Sequence, residues 1–313
     1  MPDAIVARSE SAWKADIISR RKLTYTTPLD PNLGCPRHVR SASGIVTCGD
    51  GWLVVQDDAN FLAKVSATTV APVPLPLRNG FRLFDKATGG KKNKWDLEAI
   101  TSIDGAFYAF GSGSTPNREV VLRVTGDLAN PEVQIRDAAD WYGTLSTWLA
   151  GAELNIEGVN PWGGQLWVAQ RGNGAPTAVD ALWSFAVADF LSWFEGGKPP
   201  EISSATTVDL GKVDGVRLTM TDLTSSANER FFVAAAEDSP DAVQDGPVVG
   251  AAIGILDAEN SRWTRIYEEG KPSLDKFEGI AQDSDDPALF WLVTDADDPD
   301  VAADLCSVRF TRT

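Results

Sequence analysis

Short apolar stretches alternate with turn residues along the chain, and the pattern repeats. Five segments share one order: an apolar strand with a carboxylate or small residue, a turn, and a second apolar strand that ends in polar side chains. The segments are Arg40–Asp58, Lys94–Ser114, Glu153–Asn173, Arg217–Asp238 and Asp275–Asp297. Aligning Ser43, Glu98, Glu157, Asp222 and Glu278 gives steps of 55, 59, 65 and 56 residues. Such a period indicates one supersecondary unit used five times.

A third apolar strand follows in every segment, and a fourth is plausible in the middle ones. Three to four strands per unit at this period predict an all-β protein, a single β-propeller with five radial blades. The last unit stops after its third strand, whereas Asp16–Pro28 has strand character and no unit of its own. We therefore expect an N-terminal strand to join the last blade and close the ring. Six blades remain an alternative if residues 1–35 form a degenerate blade.

The repeats favour one domain over residues 1–313, with inner strands near 40–47, 94–102, 153–160, 217–224 and 275–282. Helices are expected only in two aromatic-rich insertions, Asp137–Gly151 and Val187–Gly197. A two-domain α/β arrangement would need helices of about 10–15 residues between strands, and the sequence lacks them.

The composition of the chain limits the kinds of partner that it can bind. The chain has 28 Lys and Arg against 44 Asp and Glu, a net charge of −16, which opposes binding to nucleic acid or an anionic membrane. We expect a small-molecule ligand and a monomer. Three cysteines without CxxC spacing and the absence of a signal-like apolar run favour the cytoplasm. The single histidine, His38, leaves little room for histidine-based catalysis or metal binding.

The repeated acids are the main candidates for chemistry. The innermost strands of a propeller line its central channel, so Glu98, Glu157, Asp222 and Glu278 should converge there. Four carboxylates in a confined space need compensation by a cation, protons or basic side chains. Calcium suits an all-oxygen site, so these four residues are the predicted calcium ligands, and no organic cofactor is expected. The alternative is structural: each acid binds backbone N–H groups of the neighbouring blade.

Polar residues also end the second strands, and they differ from blade to blade. We expect a substrate-binding set there: Asp57, Arg171, Asn173, Glu237 and Asp295. Arg171 is the most informative of these, because a guanidinium near carboxylates can keep them ionised or bind an anionic substrate.

The stretches LEAI, LNIEGV with LWVAQRGN, and KFEGIA resemble those of an uncharacterised bacterial propeller family related to the phytase-like and SdiA-regulated propeller proteins. The resemblance covers the chain from about residue 40 onward. It implies a propeller with acidic inner-strand motifs, matched here by Glu98, Glu157, Asp222 and Glu278, and calcium-dependent phosphoester hydrolysis among its better-known members. The basic surface and the secretion expected of a phytase are both missing.

Three functions are compatible with these observations, so catalysis itself is an open question. The first is a calcium-assisted hydrolase of a small ester, lactone or phosphoester, with Glu157 or Asp222 as general base and Arg171 in the catalytic set. The second is a non-catalytic propeller that binds a ligand or a protein. The third is a five-bladed glycosidase, which the near-identical placement of the acids disfavours, because an acid and a nucleophile need different environments.

Overall fold

The computed structural model describes residues 4–27, 30–84, 90–172, 178–238 and 246–312. Most of its ordered backbone belongs to antiparallel strands arranged as five four-stranded sheets. From the channel outward the strands are, in blade 1, Ala42–Cys48, Gly51–Gln56, Phe61–Val65 and Val70–Pro74; in blade 2, Leu97–Ile103, Ala106–Gly111, Val120–Thr125 and Glu132–Asp137; in blade 3, Ile156–Trp162, Gln165–Gln170, Ala181–Ala186 and Ile202–Asp209; in blade 4, Thr219–Ser225, Arg230–Glu237, Val248–Ile255 and Arg262–Glu268; and in blade 5, Lys276–Gln282, Leu289–Asp295, Asp304–Thr311 and Lys14–Lys22.

The N-terminal strand Lys14–Lys22 closes the ring. It pairs antiparallel with Asp304–Thr311 over its whole length, and Ala15 and Asp16 also pair in parallel with Ile266 and Tyr267 of blade 4. The prediction of a five-bladed all-β propeller closed in this way is therefore confirmed. The described part of residues 1–35 contains this strand, two two-residue strands and a 3-10 turn, and no sixth blade.

Smaller elements complete the chain. The two-residue strands are Ile5–Val6, Arg8–Ser9, Lys212–Val213, Val216–Arg217 and Lys271–Pro272, and the 3-10 helices are Pro31–Leu33, Lys91–Asn93 and Pro116–Arg118. Both α-helices lie in the expected insertions: α1 is Ala139–Trp148 and α2 is Val187–Phe194. In the described part of the chain, no helix is long and apolar enough to span a membrane.

The hydrophobic core is divided among the blade interfaces. Five clusters of buried side chains lie in the described structure, one between each pair of neighbouring blades. The interface of blades 2 and 3 also receives both α-helices, where Trp141 and Trp193 are fully buried with ring centroids 5.1 Å apart. The aromatic residues of the insertions therefore stabilise the ring by packing between blades.

Candidate functional site: a carboxylate cluster in the central channel

A β-bulge lies at the same place in every innermost strand. The register shifts fall between Ala42 and Gly44, Leu97 and Ala99, Ile156 and Gly158, Met220 and Asp222, and Phe277 and Gly279. The residues inside the five bulges are Ser43, Glu98, Glu157, Thr221 and Glu278. A bulge leaves one residue out of the ladder and re-aims its side chain, so these five positions are structurally equivalent.

Asp222 is one residue away from this position. Blade 4 has Thr221 in its bulge, and Asp222 occupies the place of the small residues Gly158 and Gly279. Its two carboxylate oxygens accept hydrogen bonds from the backbone N–H groups of Leu223 and Ile280, both at 2.8 Å. Burial raises the pKa of Asp222 well above its usual range, although both donors act in the opposite direction.

The prediction that four acids occupy equivalent positions is therefore wrong for Asp222. The alignment paired it with Glu98, Glu157 and Glu278, which lie inside their bulges, whereas Asp222 lies one residue after the bulged Thr221. Asp222 fits the structural alternative, in which the carboxylate joins blade 4 to blade 5. It does not belong to either group of clustered carboxylates found among the described residues.

In every blade except blade 4, a small residue follows the bulge and allows neighbouring inner strands to approach. A Cβ atom built on Gly158 would lie 2.9 Å from the backbone nitrogen of Leu223 in blade 4. One built on Gly279 would lie 3.0 Å from the backbone of Gly44 in blade 1. This close approach brings the bulged side chains of different blades together.

Glu98, Glu157 and Glu278, here called the channel glutamates, meet in the channel. Each offers one carboxylate oxygen, and these oxygens lie within 4.8 Å of one another. Glu157 and Glu278 are 4% and 3% exposed, whereas Glu98 is partly accessible. Burial, only partly offset by Arg171, raises the pKa of Glu157 to about 8, and burial also raises the pKa of Glu278. The close approach of these carboxylates thus favours either their protonation or the binding of a cation between them.

Glu98 has no hydrogen-bond or ion-pair partner among the described residues. Burial raises its pKa well above the usual range, and Asp96, Asp57, Glu157 and Glu278 add to this effect through charge repulsion. Because no described base forms an ion pair with it, this partly accessible carboxylate is the one in the channel most able to accept an external cation.

A second group of acids shares Glu98 but contains its own cation. Asp57, Asp96 and Glu98 also have oxygens within 4.8 Å of one another. The Lys94 ammonium lies 2.6 Å from Asp57 and contacts Asp96, which also binds Arg118 at 2.6 Å. These bases lower the pKa of Asp96 despite its burial. Lys94 holds this group at 2.6 Å, whereas Arg171 and Lys276 lie 3.3 to 3.5 Å from the channel glutamates, so the channel glutamates are the better candidates for a metal ion.

Arg171 lies beside the channel glutamates, as the sequence suggested. Its NH1 atom is 3.5 Å from Glu157 and 3.4 Å from Glu278, and its NH2 atom donates to Glu237 at 2.7 Å. These contacts to the channel glutamates are long for charge-assisted hydrogen bonds, so Arg171 holds them only loosely.

Three of the four remaining predicted substrate-binding residues take part in ion pairs. Asp57 pairs with Lys94, and Glu237 pairs with Arg171. Asp295 lies 4.0 Å from the Lys276 ammonium, which is also 3.3 Å from Glu278. Asn173 lies outside the described residues.

Four of the site residues that the sequence did not indicate share one position. Asp96, Asn155, Thr219 and Lys276 each lie two residues before a bulged residue. Asp96 and Asn155 precede their inner strands, whereas Thr219 and Lys276 begin theirs. Asn155 donates to Glu157 at 2.6 Å, and Thr219 accepts from Arg171 at 3.0 Å. A polar residue two positions before the acid was the sequence signal.

The site carries an excess of acid. Eight carboxylates (Asp57, Asp96, Glu98, Glu157, Glu237, Glu278, Asp295 and Asp297) are connected to four bases, namely Lys94, Arg118, Arg171 and Lys276. A divalent cation at the channel glutamates would reduce this excess, and Arg171 beside it could bind an anionic group.

Replacing Asp222 with asparagine should destabilise the protein without affecting any metal response. The amide keeps one acceptor oxygen and faces the other backbone N–H with its own donors, so one buried N–H loses its partner, at a cost of about 1–3 kcal/mol. Urea unfolding measures the loss. Asp104→Asn, at an exposed turn residue with φ of 50°, is the matched control and should leave stability unchanged. A stable Asp222→Asn variant without a calcium response would instead restore Asp222 as a ligand.

Comparison with solved structures agrees with this fold. Myxococcus xanthus glutaminyl cyclase superposes with a TM-score of 0.52 at 11% identity, covering 99% of this chain and 100% of that one. A PQQ-bound aldose sugar dehydrogenase from Streptomyces coelicolor gives 0.49 at 12% identity, with 97% and 100% covered. A mutant Cellvibrio cellulosa alpha-L-arabinanase gives 0.49 at 11%, with 87% and 91% covered.

No curated protein sequence matches this one. A family model does match, over residues 38–310. The chain therefore belongs to DUF6929, a family of unknown function.

Proposed function

We propose that the channel glutamates bind a divalent cation, calcium in the first place, and that this centre hydrolyses a small ester, lactone or phosphoester. The observation that carries the proposal is Glu98: it is accessible, lacks a partner among the described residues, and lies within 4.8 Å of two further glutamates. Oxygen donors in a flexible arrangement are what calcium prefers. The resemblance to phytase-like propellers supports the same metal.

The chain's own residues suggest a division of roles. A bound cation would polarise the oxygen of the substrate. Arg171, loosely held by Glu157 and Glu278, would orient an anionic substrate group through its guanidinium. Glu157, fixed by Asn155, is the candidate general base that takes a proton from the attacking water. The water oxygen would bond to the carbonyl carbon or the phosphorus, the bond to the leaving oxygen would break, and that oxygen would take up the proton held by Glu157. Asp222 has no part, because backbone N–H groups occupy both its oxygens.

The alternative is a non-catalytic propeller that binds a ligand or a protein. It is favoured by the ion pairs of Lys94, Arg171 and Lys276, which compensate most of the channel acids internally. A glycosidase is less well supported, because the three glutamates occupy equivalent bulges and two of them share one base. In each case the net charge of −16 supports a small molecule over nucleic acid or a membrane as ligand. A monomer in the cytoplasm completes the proposal.

Thermal unfolding after removal of metal tests the cation site. Protein dialysed against EDTA is heated with and without added calcium or magnesium. Calcium at about 100 times its dissociation constant adds about 2.7 kcal/mol of stability, a rise of several degrees in a chain of this size. Equal curves with and without cations would reject the metal site.

Turnover tests the reaction separately. Ester, lactone and phosphoester panels are compared in calcium and in EDTA, with Glu157→Gln as the variant that should lose activity and keep its fold. Calcium-dependent stability without turnover on any panel would favour the binding module over the hydrolase.

A further inference from the structure

Arg230 lies at the other end of the channel-facing hairpins. It begins the second strand of blade 4 and pairs with Ser225, at the turn end of the hairpin, whereas the bulge is at the opposite end. Two tryptophans of blade 3 flank it: Trp162, the last residue of the inner strand, and Trp167 on the second strand. These residues are independent of the channel glutamates.

Arg230 differs from every other buried cation of the described structure. Arg40 contacts Asp58 at 2.9 Å, Lys94 contacts Asp57 at 2.6 Å and Arg171 contacts Glu237 at 2.7 Å. Arg230 is 8% exposed and has no side-chain hydrogen bond or ion pair among the described residues, and its NH1 atom is fully enclosed without a partner. Burial lowers its pKa, but a guanidinium stays charged in proteins.

The two indole rings partly replace the missing anion. The guanidinium carbon lies 4.0 Å from the Trp167 ring centroid and 5.1 Å from that of Trp162. Such cation–π contacts attract the guanidinium, although they leave its N–H groups unsatisfied. The acid nearest in electrostatic effect, Asp257, already accepts from the backbone N–H groups of Glu259 and Asn260.

The stack is rigid before any ligand binds. The Trp162 indole N–H donates to the Ser226 carbonyl at 3.0 Å, and that of Trp167 donates to the Trp162 carbonyl at 3.3 Å. These hydrogen bonds restrain both indole rings, against which the guanidinium packs. A pre-positioned fork of N–H donors loses little entropy on binding.

We propose that Arg230, Trp162 and Trp167 form a second binding site that takes a carboxylate. A guanidinium with no carboxylate in contact among the described residues matches the single charge of a carboxylate, whose two oxygens fit the guanidinium fork. A phosphate dianion would keep a net negative charge in the same place. The carboxylate belongs either to a small metabolite or to an acidic side chain or chain terminus of a partner, because the recognition chemistry is the same.

Indole NMR signals report directly on this site. Trp162→Phe and Trp167→Phe assign the two indole N–H resonances of the uniformly labelled protein, which is then titrated with acetate at constant ionic strength. We expect both signals to shift saturably, and Arg230→Gln to lower the acetate affinity at least tenfold. Arg230→Met, which removes the unpaired charge, should bind no acetate and keep the unfolding temperature.

Arg78→Gln is the matched control, since Arg78 also lies over a tryptophan, 5.6 Å from the centroid of Trp95. It should leave the Trp162 and Trp167 titrations unchanged. Absence of a saturable shift, or an equal shift in Arg230→Gln, would overturn the site. Tighter binding of inorganic phosphate than of acetate would overturn its assignment to carboxylates. Two further titrations distinguish the sources of the carboxylate. Benzoate represents a small metabolite, and a peptide with a free C-terminus, compared with the same peptide carrying a C-terminal amide, represents a partner protein.

Discussion

Replacing Glu98 with glutamine should abolish the stabilisation by calcium. Glu98 is the only channel glutamate without an ion pair or hydrogen bond to a base or amide in the described structure, so a cation gains most from its charge. The wild-type rise in unfolding temperature, several degrees at saturating calcium, should fall to nearly zero in the variant. Differential scanning calorimetry of EDTA-treated protein, with and without calcium, measures this difference.

The same substitution should stabilise the metal-free protein at alkaline pH. There the wild type must ionise Glu98 among Asp96, Asp57, Glu157 and Glu278, whereas the neutral amide avoids that repulsion. Asp222→Asn supplies the contrast: it should lose stability and keep its calcium response. If Glu98→Gln still responds to calcium as strongly as the wild type, the cation binds elsewhere and the proposed centre is wrong.

Stability of the metal-free protein should fall as the pH rises from about 5 to 9. The pKa of Glu157 is raised from 4.5 to about 8, and the pKa values of Glu98, Glu278 and Asp295 are also raised. Between these limits the folded state binds more protons than the unfolded state, so unfolding becomes easier with increasing pH. For Glu157 alone the full effect is up to about 5 kcal/mol, at about 1.4 kcal/mol for each unit of pKa shift.

Calcium should reverse this trend and release protons when it binds. A carboxylate must be deprotonated to act as a ligand, so calcium affinity should increase through the same pH range. Urea unfolding in EDTA at several pH values measures the first effect, and calorimetric titration in buffers of different ionisation enthalpy counts the protons released. Glu157→Gln should flatten the pH profile of the metal-free protein. A wild-type profile that rises toward pH 9 would show that the channel acids are already fully compensated.

The repeat was predictable because each blade carries the same local signal. A small or acidic residue inside an apolar run, a tight turn and a second apolar run encode the inner hairpin five times. Ring closure followed from counting, since the last unit lacked a fourth strand and Asp16–Pro28 lacked a unit. The strand there, Lys14–Lys22, begins two residues before that segment and ends within it.

The strand register of blade 4 could not be predicted from the sequence alone. The bulge is a property of the backbone ladder, and it selects Thr221, whereas an alignment on acidic residues selects Asp222. Moving by one residue along the strand turns the side chain away from the channel and toward the interface between blades. Thr221 instead donates to the Phe277 carbonyl of blade 5 at 2.6 Å.

The bases of the channel were missed for a different reason. Lys94 precedes the inner strand of blade 2 and reaches Asp57, which follows the second strand of blade 1, whereas Lys276 begins the inner strand of blade 5 and reaches Asp295 on the next strand of the same blade. Which of several acids a lysine neutralises depends on distances within and between blades, and these distances appear only in the folded ring. Sequence alone therefore indicated an acidic channel and could not separate the Lys94-occupied group from the channel glutamates.

Closure by Lys14–Lys22 has a kinetic consequence. This strand pairs with Asp304–Thr311, and Lys22 is 282 residues away in sequence from its partner Asp304. Asp304–Thr311 therefore emerges from the ribosome long after Lys14–Lys22. Contacts this distant in sequence are slow to form, because loop closure must precede them. Blades 1–4 can assemble from local hairpins during synthesis, but blade 5 keeps an unpaired edge until Lys14–Lys22 docks. Docking of that strand is therefore the step at which an incomplete ring, exposed to edge-to-edge association, becomes the native propeller.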